Sequence, residues 1–231
     1  MATIKQFLKE IRLDVANCPG PVMENAVLNA LVAFCKESRF WIQVLDPVDI
    51  VAGTHTYNLV VPSAVQNARI HELYTISAHG EPLFPQTADQ LDRDWPSIQQ
   101  IGFIHNFLTS KPWREYSHAQ PRLYHQPTRS TVRIVAIPTK SEVGGLLMTA
   151  ALYPGSTSTT VDDEIFEEWR ETIGWGAKAR LMMMSKKDWS DANAATAYAA
   201  AFTQGTNDAK GQRMRDFARD NKQHHRARSY Y

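Results

Sequence analysis

The apolar periodicity of the chain changes twice, and these changes limit the fold more than any other feature. Residues 3–41, and again the stretch from residue 161 onward, carry apolar side chains at three- and four-residue spacing, as amphipathic helices do. Residues 42–155 instead hold short β-rich runs bounded by Pro, Gly or Ser. The pattern predicts an α+β fold, with a helical bundle formed from both chain ends and an inserted small antiparallel β-sheet or sandwich domain.

The first 41 residues predict a helical hairpin. One apolar stripe comprises Ile4, Phe7, Leu8, Ile11 and Val15, and Thr3 can serve as its N-cap. The run 17–21 contains two prolines and a glycine, which end that helix. A second broad apolar face then continues to about Trp41.

The β-rich insert at 42–155 contains one predicted helix and one long loop. The candidate strands lie at 42–47, 54–61, 69–76, 121–126, 131–137 and 146–153. Thr87 and Gln90 form a capping-box pattern that opens a short helix ending near Trp95. The loop at 96–120 is aromatic, and loops of this length usually have a function or contact a partner.

Two further helices are predicted within 156–209. Asp162 or Asp163 caps the first, whose opening turns are acidic and whose last turns are basic, as the helix dipole favours. The run 182–184 of three methionines is interpreted as core filler, with an adaptable binding surface as the alternative. The second helix starts at Ser190 and is expected to break near Gly205 or Gly211. Residues 210–231 form a separate basic C-terminal arm.

No pattern for catalysis, cofactor binding or metal binding is found in the sequence. It lacks a phosphate loop, a dinucleotide-binding glycine pattern, a nucleophile elbow and a zinc helix. Cys18 and Cys35 lack zinc spacing and are expected to be small buried hydrophobes. The eight histidines are scattered, and no apolar window approaches membrane-spanning length. We therefore expect neither an enzyme, nor a cofactor, nor a membrane partner.

The C-terminal arm is the most unusual stretch of charge, because the whole chain has a net charge of only +1. Its candidate partner-binding residues are Arg213, Arg215, Arg219, Lys222, Arg226, Arg228, Tyr230 and Tyr231. Arginines interleaved with tyrosines suit an acidic, partly apolar groove on a protein, or a phosphate backbone. We favour the protein groove, since few residues carry the charge and the body of the chain is neutral.

A second set of candidate contact residues lies in and next to the long loop. This aromatic set comprises Trp95, Phe103, Phe107, Trp113 and Tyr116.

The stretch 161–191 resembles the head-to-tail adaptor (connector) proteins of tailed bacteriophages. In that family an acidic helix leads through a Gly-Ala-x-Ala-Arg-Leu segment to a Lys-x-Trp-x-Asp turn and an alanine-rich helix. Here 176–181 reads Gly-Ala-Lys-Ala-Arg-Leu and 187–191 reads Lys-Asp-Trp-Ser-Asp. The β segment from Pro121 to Ile134 is also similar. The proline that usually precedes the acidic helix is absent, and Val161 and Asp162 stand there.

The resemblance implies a structural virion protein at the head–tail interface, made in the host cytoplasm. It implies a homo-oligomeric ring, a dodecamer, that joins the portal to a nozzle, spike or stopper protein of the tail. It also implies that the C-terminal arm reaches the portal, which agrees with the basic segment. DNA would pass through the lumen without sequence specificity, and the aromatic loop would face the next tail component.

Two alternatives remain open from the residues alone. One is a nucleic-acid-binding protein that acts through the basic C-terminal segment. The other is a hydrolase that uses carboxylates or histidines of the β region, such as His105, His118 and His125.

Overall fold

The structure is a computed structural model that describes residues 1–65, 67–94 and 113–215. Its α-helices are α1 (Gly20–Ser38), α2 (Ala88–Asp94), α3 (Asp163–Met182) and α4 (Ala192–Arg215), and short 3-10 helices span Ile4–Glu10 and Ser63–Val65. The strands are β1 (Ala2–Thr3), β2 (Ile42–Val44), β3 (Val48–Ile50), β4 (Thr56–Asn58), β5 (Ala68–Ala78), β6 (Glu81–Pro82), β7 (Phe84–Pro85), β8 (Ser117–His118), β9 (Leu123–Thr128), β10 (Thr131–Val135), β11 (Ile137–Pro138), β12 (Glu142–Pro154) and β13 (Thr160–Val161).

The fold is mixed α+β, and the chain divides into two compact units. One unit comprises residues 1–40 and 159–231, and the other comprises residues 41–158. Each has its own core of fully buried side chains: Phe7, Ile11, Leu31, Phe34 and Ile165 in the first, and Leu45, Ile50, Ile134, Leu146 and Met148 in the second.

In the first unit, α1 and α4 both pack against α3, and aromatic rings fill part of the core. Phe7 meets Phe166 edge to face at 5.0 Å, and Trp169 lies 5.7 Å from the rings of Phe34 and Phe40. The 3-10 helix packs on α1 and α3.

The first predicted helix is shorter and tighter than its sequence pattern indicates. All five residues of the stripe from Ile4 to Val15 are buried as expected. The regular element, however, is a 3-10 helix that ends at Glu10. Its start is fixed by a strand, since β1 pairs with β13 and the N–H of Ile4 donates to the carbonyl of Thr159 at 3.0 Å. The chain therefore enters this element from a β pairing.

The capping predictions are confirmed at two helices. Asp162 is the N-cap of α3, and its side chain accepts a hydrogen bond from the N–H of Glu164 at 3.0 Å. At α2, the N–H of Gln90 donates to Thr87 Oγ1 at 3.2 Å and the N–H of Thr87 donates to Gln90 Oε1 at 3.0 Å. Each cap satisfies backbone donors that the first helical turn leaves unpaired.

The predicted break in the last helix is wrong, because α4 runs without interruption from Ala192 to Arg215. Gly205 is buried at the contact with α3, where an added Cβ would lie 2.5 Å from Thr172 Oγ1. On the facing helix, a Cβ at Gly176 would lie 2.6 Å from the ring of Phe202. The glycines thus permit close approach of α3 and α4, and the helical hydrogen bonds continue through Gly205.

The second unit contains a five-stranded antiparallel sheet in the order β2-β12-β5-β6, with β3 also paired to β12. In its centre Thr149 of β12 lies between Val44 of β2 and Thr75 of β5. A four-stranded sheet has the order β4-β10-β9-β7, and β8 pairs with β11. Unlike the predicted all-antiparallel arrangement, the pairs β7–β9 and β8–β11 are parallel.

Candidate partner-binding surfaces

The basic C-terminal segment begins on an ordered helix. Arg213 and Arg215, the first two residues predicted to bind a partner, lie in the last turn of α4. Arg215 is exposed, whereas Arg213 is half-buried. The other predicted residues lie outside the described part of the chain: Arg219, Lys222, Arg226, Arg228, Tyr230 and Tyr231.

The end of α4 contacts acidic residues of α3 and α1. Gln212 Nε2 donates to Glu168 Oε2 at 3.2 Å, and Lys210 Nζ lies 3.8 Å from Glu37 Oε1 on α1. Partial burial, together with the charges of Glu168 and Asp162, raises the pKa of Glu164, and the positive charge of Arg213 opposes this rise. Basic residues of this segment therefore already compensate acidic residues of the same unit.

Trp113 is the centre of a cluster of charged side chains. Its indole Nε1 donates to Asp92 Oδ1 at 2.6 Å, and the guanidinium groups of Arg114 and Arg133 lie 4.2 and 4.8 Å from its ring centroid. Arg114 also donates to both carboxylate oxygens of Asp92, at 2.6 and 3.3 Å. The hydrogen bonds from Arg114 and Trp113 lower the pKa of Asp92.

Trp113, one of the candidate contact residues, is 3% exposed, so its side chain lies beneath the surface. It packs with Leu91 and Val135, and Leu123 lies against the same group. Trp113 therefore supports the surface residues from beneath.

Tyr116 does lie at the surface, with 37% of the residue exposed. Its ring stacks on His118 with an interplanar angle of 14° and centroids 6.3 Å apart. These two rings border a groove of about 340 Å³ that Gln120, Arg122, Leu123, Val135 and Ala136 complete. Val135 belongs to the same buried cluster as Trp113, and Leu123 packs against that cluster, so the cluster forms the floor of this Tyr116 groove.

The three remaining aromatic candidates, Trp95, Phe103 and Phe107, lie outside the described residues. Sequence reasoning missed Asp92, Arg114 and Arg133, which hold Trp113 in place. No local signal could have found them, because Asp92 and Trp113 are 21 residues apart and no motif joins them.

The described residues contain no group of three His, Cys, Asp or Glu side chains that could hold a metal ion. His118 accepts a hydrogen bond from the N–H of Gln120 at 3.1 Å, and the ring of His125 lies 6.3 Å from that of Trp113. His105 lies outside the described part. None of the helices in that part combines the length and the apolar character needed to cross a membrane.

The family model described as SU10 adaptor protein matches residues 2–226, nearly the whole chain. The chain belongs to the SU10 adaptor protein family. SU10 adaptors are a family of phage head-to-tail adaptors, which confirms the resemblance found at 161–191. The family is a structural class and not a class of enzymes, and it implies that this adaptor is located in the virion. It also implies contacts with portal and tail proteins and self-association in general. No curated protein matches the adaptor.

Proposed function

We propose that this adaptor forms a homo-oligomeric ring, a dodecamer, that joins the portal to the tail of a tailed bacteriophage. The observation that carries the proposal is the family match over residues 2–226. The proposal includes a helical bundle formed from both chain ends, which the shared unit of residues 1–40 and 159–231 supports. DNA crosses the lumen of this ring at ejection without sequence-specific contacts.

The C-terminal arm, residues 210–231 in the proposed division of the chain, binds the portal. Two features support this assignment: Arg215 is exposed at the end of α4, and the four cations that follow in sequence outnumber the two acidic residues there. An acidic and partly apolar groove on the portal suits arginines together with Tyr230 and Tyr231. No covalent bond is made or broken in this function.

The Tyr116 groove, together with Trp95, Phe103 and Phe107, faces the downstream tail component, whether nozzle, spike or stopper. Support comes from the exposed Tyr116–His118 pair, which borders a concave surface with a buried floor. Aromatic residues over such a floor are typical anchors of protein interfaces.

The experiment mixes purified portal with the full-length chain and with a chain truncated after Arg215. This truncation keeps every residue of α4 and its contacts to Glu168 and Glu37. We expect electron microscopy and sedimentation to show rings on the portal with the full-length chain only. A matched control replaces the four arm cations at 219, 222, 226 and 228 with Gln, which tests charge without removing the chain.

Binding of the portal by the truncated chain contradicts the role of the arm. If neither form binds the portal, and the full-length chain instead binds unrelated duplex DNA sequences equally in a strongly salt-dependent manner, the ring proposal fails and the nucleic-acid-binding function replaces it.

A further inference from the structure

The outer face of α1 has an unusual composition for a helix at a protein surface. From residue 25 to residue 35 the sequence contains no charged side chain. Pro21, Asn25 and Asn29 follow one another at four-residue spacing and are all exposed. Depletion of charge among exposed residues is characteristic of the centre of protein interfaces.

A groove runs beside this face, with a volume of about 240 Å³. Pro21, Val22, Asn25 and Asn29 line it from α1. Arg180 lines it from the last turn of α3, and Met184 lines it from the segment that follows. Met184 is 38% exposed and Met183 is 64% exposed. The core-filler interpretation of the methionine run therefore holds for Met182, which is buried, and fails for the two that follow. Exposed methionines next to a groove provide an adaptable apolar contact surface.

Arg180 gives the groove a positive charge that no carboxylate of the described residues pairs with. Its Nη1 donates to the carbonyl of Gly176 at 2.9 Å, and its guanidinium lies 5.6 Å from the ring of Phe202. Among the described residues, no carboxylate oxygen lies within 4.0 Å of it. A half-buried guanidinium that hydrogen-bonds only a carbonyl is well placed to receive a carboxylate from outside.

Two carboxylates on the opposite side of α3 are available to supply that partner. In the acidic first half of α3, Glu168 bonds to Gln212 and Glu164 faces Arg213. Glu167 and Glu171 are exposed, and neither makes an ion pair within the described ranges. Glu171 and Arg180 are nine residues apart, which is two and a half turns at about 3.6 residues per turn, so they project from opposite sides of the helix.

We infer that the groove at Arg180 binds the Glu167–Glu171 face of a second copy of this chain. A groove on one side and its complementary charge on the other make a heterologous contact, and such contacts close into rings when the rotation between copies permits. The face of α1 at Pro21, Asn25 and Asn29 supplies uncharged contacts, and the exposed Met183 and Met184 supply the apolar part of the same contact. The inference rests on the proposed ring and identifies its copy-to-copy surface.

The test measures self-association of the full chain without the portal, by sedimentation velocity over a range of concentrations and by chemical cross-linking. We expect Arg180→Glu and Glu171→Arg each to weaken self-association by at least about tenfold, since each places like charges opposite one another. A chain that carries both substitutions, or a 1:1 mixture of the two single variants, restores the contact, because every interface then pairs opposite charges again. Lys187→Glu is the matched control, an exposed charge reversal near the same helix end that leaves self-association unchanged.

Arg180→Gln guards against misfolding, since it removes the charge but keeps a polar side chain of similar length. Its thermal unfolding is followed beside its self-association, and we expect weakened association with an unchanged fold. Wild-type self-association in the variants, or no gain when the two reversals are combined, overturns the inference. Portal binding is measured separately, so a chain that self-associates through this surface but does not bind the portal contradicts the proposed function alone.

Discussion

At the scale of single residues, Asp92 determines how Trp113 is held. Its carboxylate accepts hydrogen bonds from the indole and from Arg114, and these bonds lower its pKa in the folded chain. A carboxylate whose folded-state pKa is depressed stabilises the fold above its ordinary pKa of 3.8, and this contribution is lost as the pH falls through the lower, folded-state value. The floor of the Tyr116 groove thus depends on an ionised side chain.

We predict that Asp92→Asn lowers the midpoint of thermal unfolding at pH 7, that the difference from wild type declines as the pH falls below 3.8, and that it disappears only below the depressed folded-state pKa of Asp92. Circular dichroism melts between pH 2 and pH 7 measure this. Asp89→Asn, an exposed carboxylate one turn earlier on α2, is the control. A difference that persists unchanged at the lowest pH would show that the negative charge of Asp92 does not stabilise the cluster.

The thiols give a second prediction at this scale. Cys35 is completely buried in α1, and burial raises the pKa of its thiol; burial also raises that of Cys18. Because the thiolate is the reactive form, we expect neither residue to react with a maleimide in the native chain, and both to react in denaturant. Mass spectrometry counts the labels, and rapid labelling of Cys35 without denaturant would contradict its buried position.

At the scale of helices, the contact between α3 and α4 depends on positions without a Cβ. We predict that Gly205→Ala lowers the free energy of unfolding, because the new methyl group overlaps Thr172 and overpacking costs about 1–3 kcal/mol. This loss exceeds or cancels the gain of about 1 kcal/mol from better helix propensity.

Gly211→Ala in the same helix is the matched comparison, since nothing lies within 4 Å of the added Cβ. It is expected to raise the free energy of unfolding by up to about 1 kcal/mol. Urea titrations of both variants measure the difference, and equal stabilisation of the two would show that α3 and α4 do not approach closely at Gly205.

The same elements show what local sequence can and cannot predict. Asp162, Thr87 and Gln90 were identifiable because a cap is decided by residues within one turn of one another. The long strand β12 was identifiable from its β-rich run, although it extends to Glu142. The uninterrupted course of α4 through Gly205 was not, because the effect of a glycine depends on Thr172 across the helix contact. The burial of Trp113 was likewise decided by distant partners.

At the scale of the whole molecule, two units with separate cores imply two sets of local stabilities. We predict that Leu146→Ala, which removes a fully buried side chain from β12, costs about 2–5 kcal/mol in the unit of residues 41–158. Amide hydrogen exchange should then accelerate in β5 and β12 and stay slow in α1 and α3.

Leu31→Ala in α1 is the reciprocal variant, and it is expected to accelerate exchange in α3 and α4 while β12 stays protected. Uniform acceleration throughout the chain in either variant would show that the two units unfold as one.

The packing of α1 against α3 constrains the order of folding during synthesis. Helix α1 ends at Ser38, but α3, which covers its apolar side, begins only at Asp163. At a translation rate of about 5–20 residues per second, the ribosome needs roughly 6–25 seconds to make the intervening segment. During that interval Val27, Leu31 and Phe34 have no partner from the later helices. The nascent adaptor therefore exposes the apolar side of α1 until α3, which ends at Met182, has been synthesised.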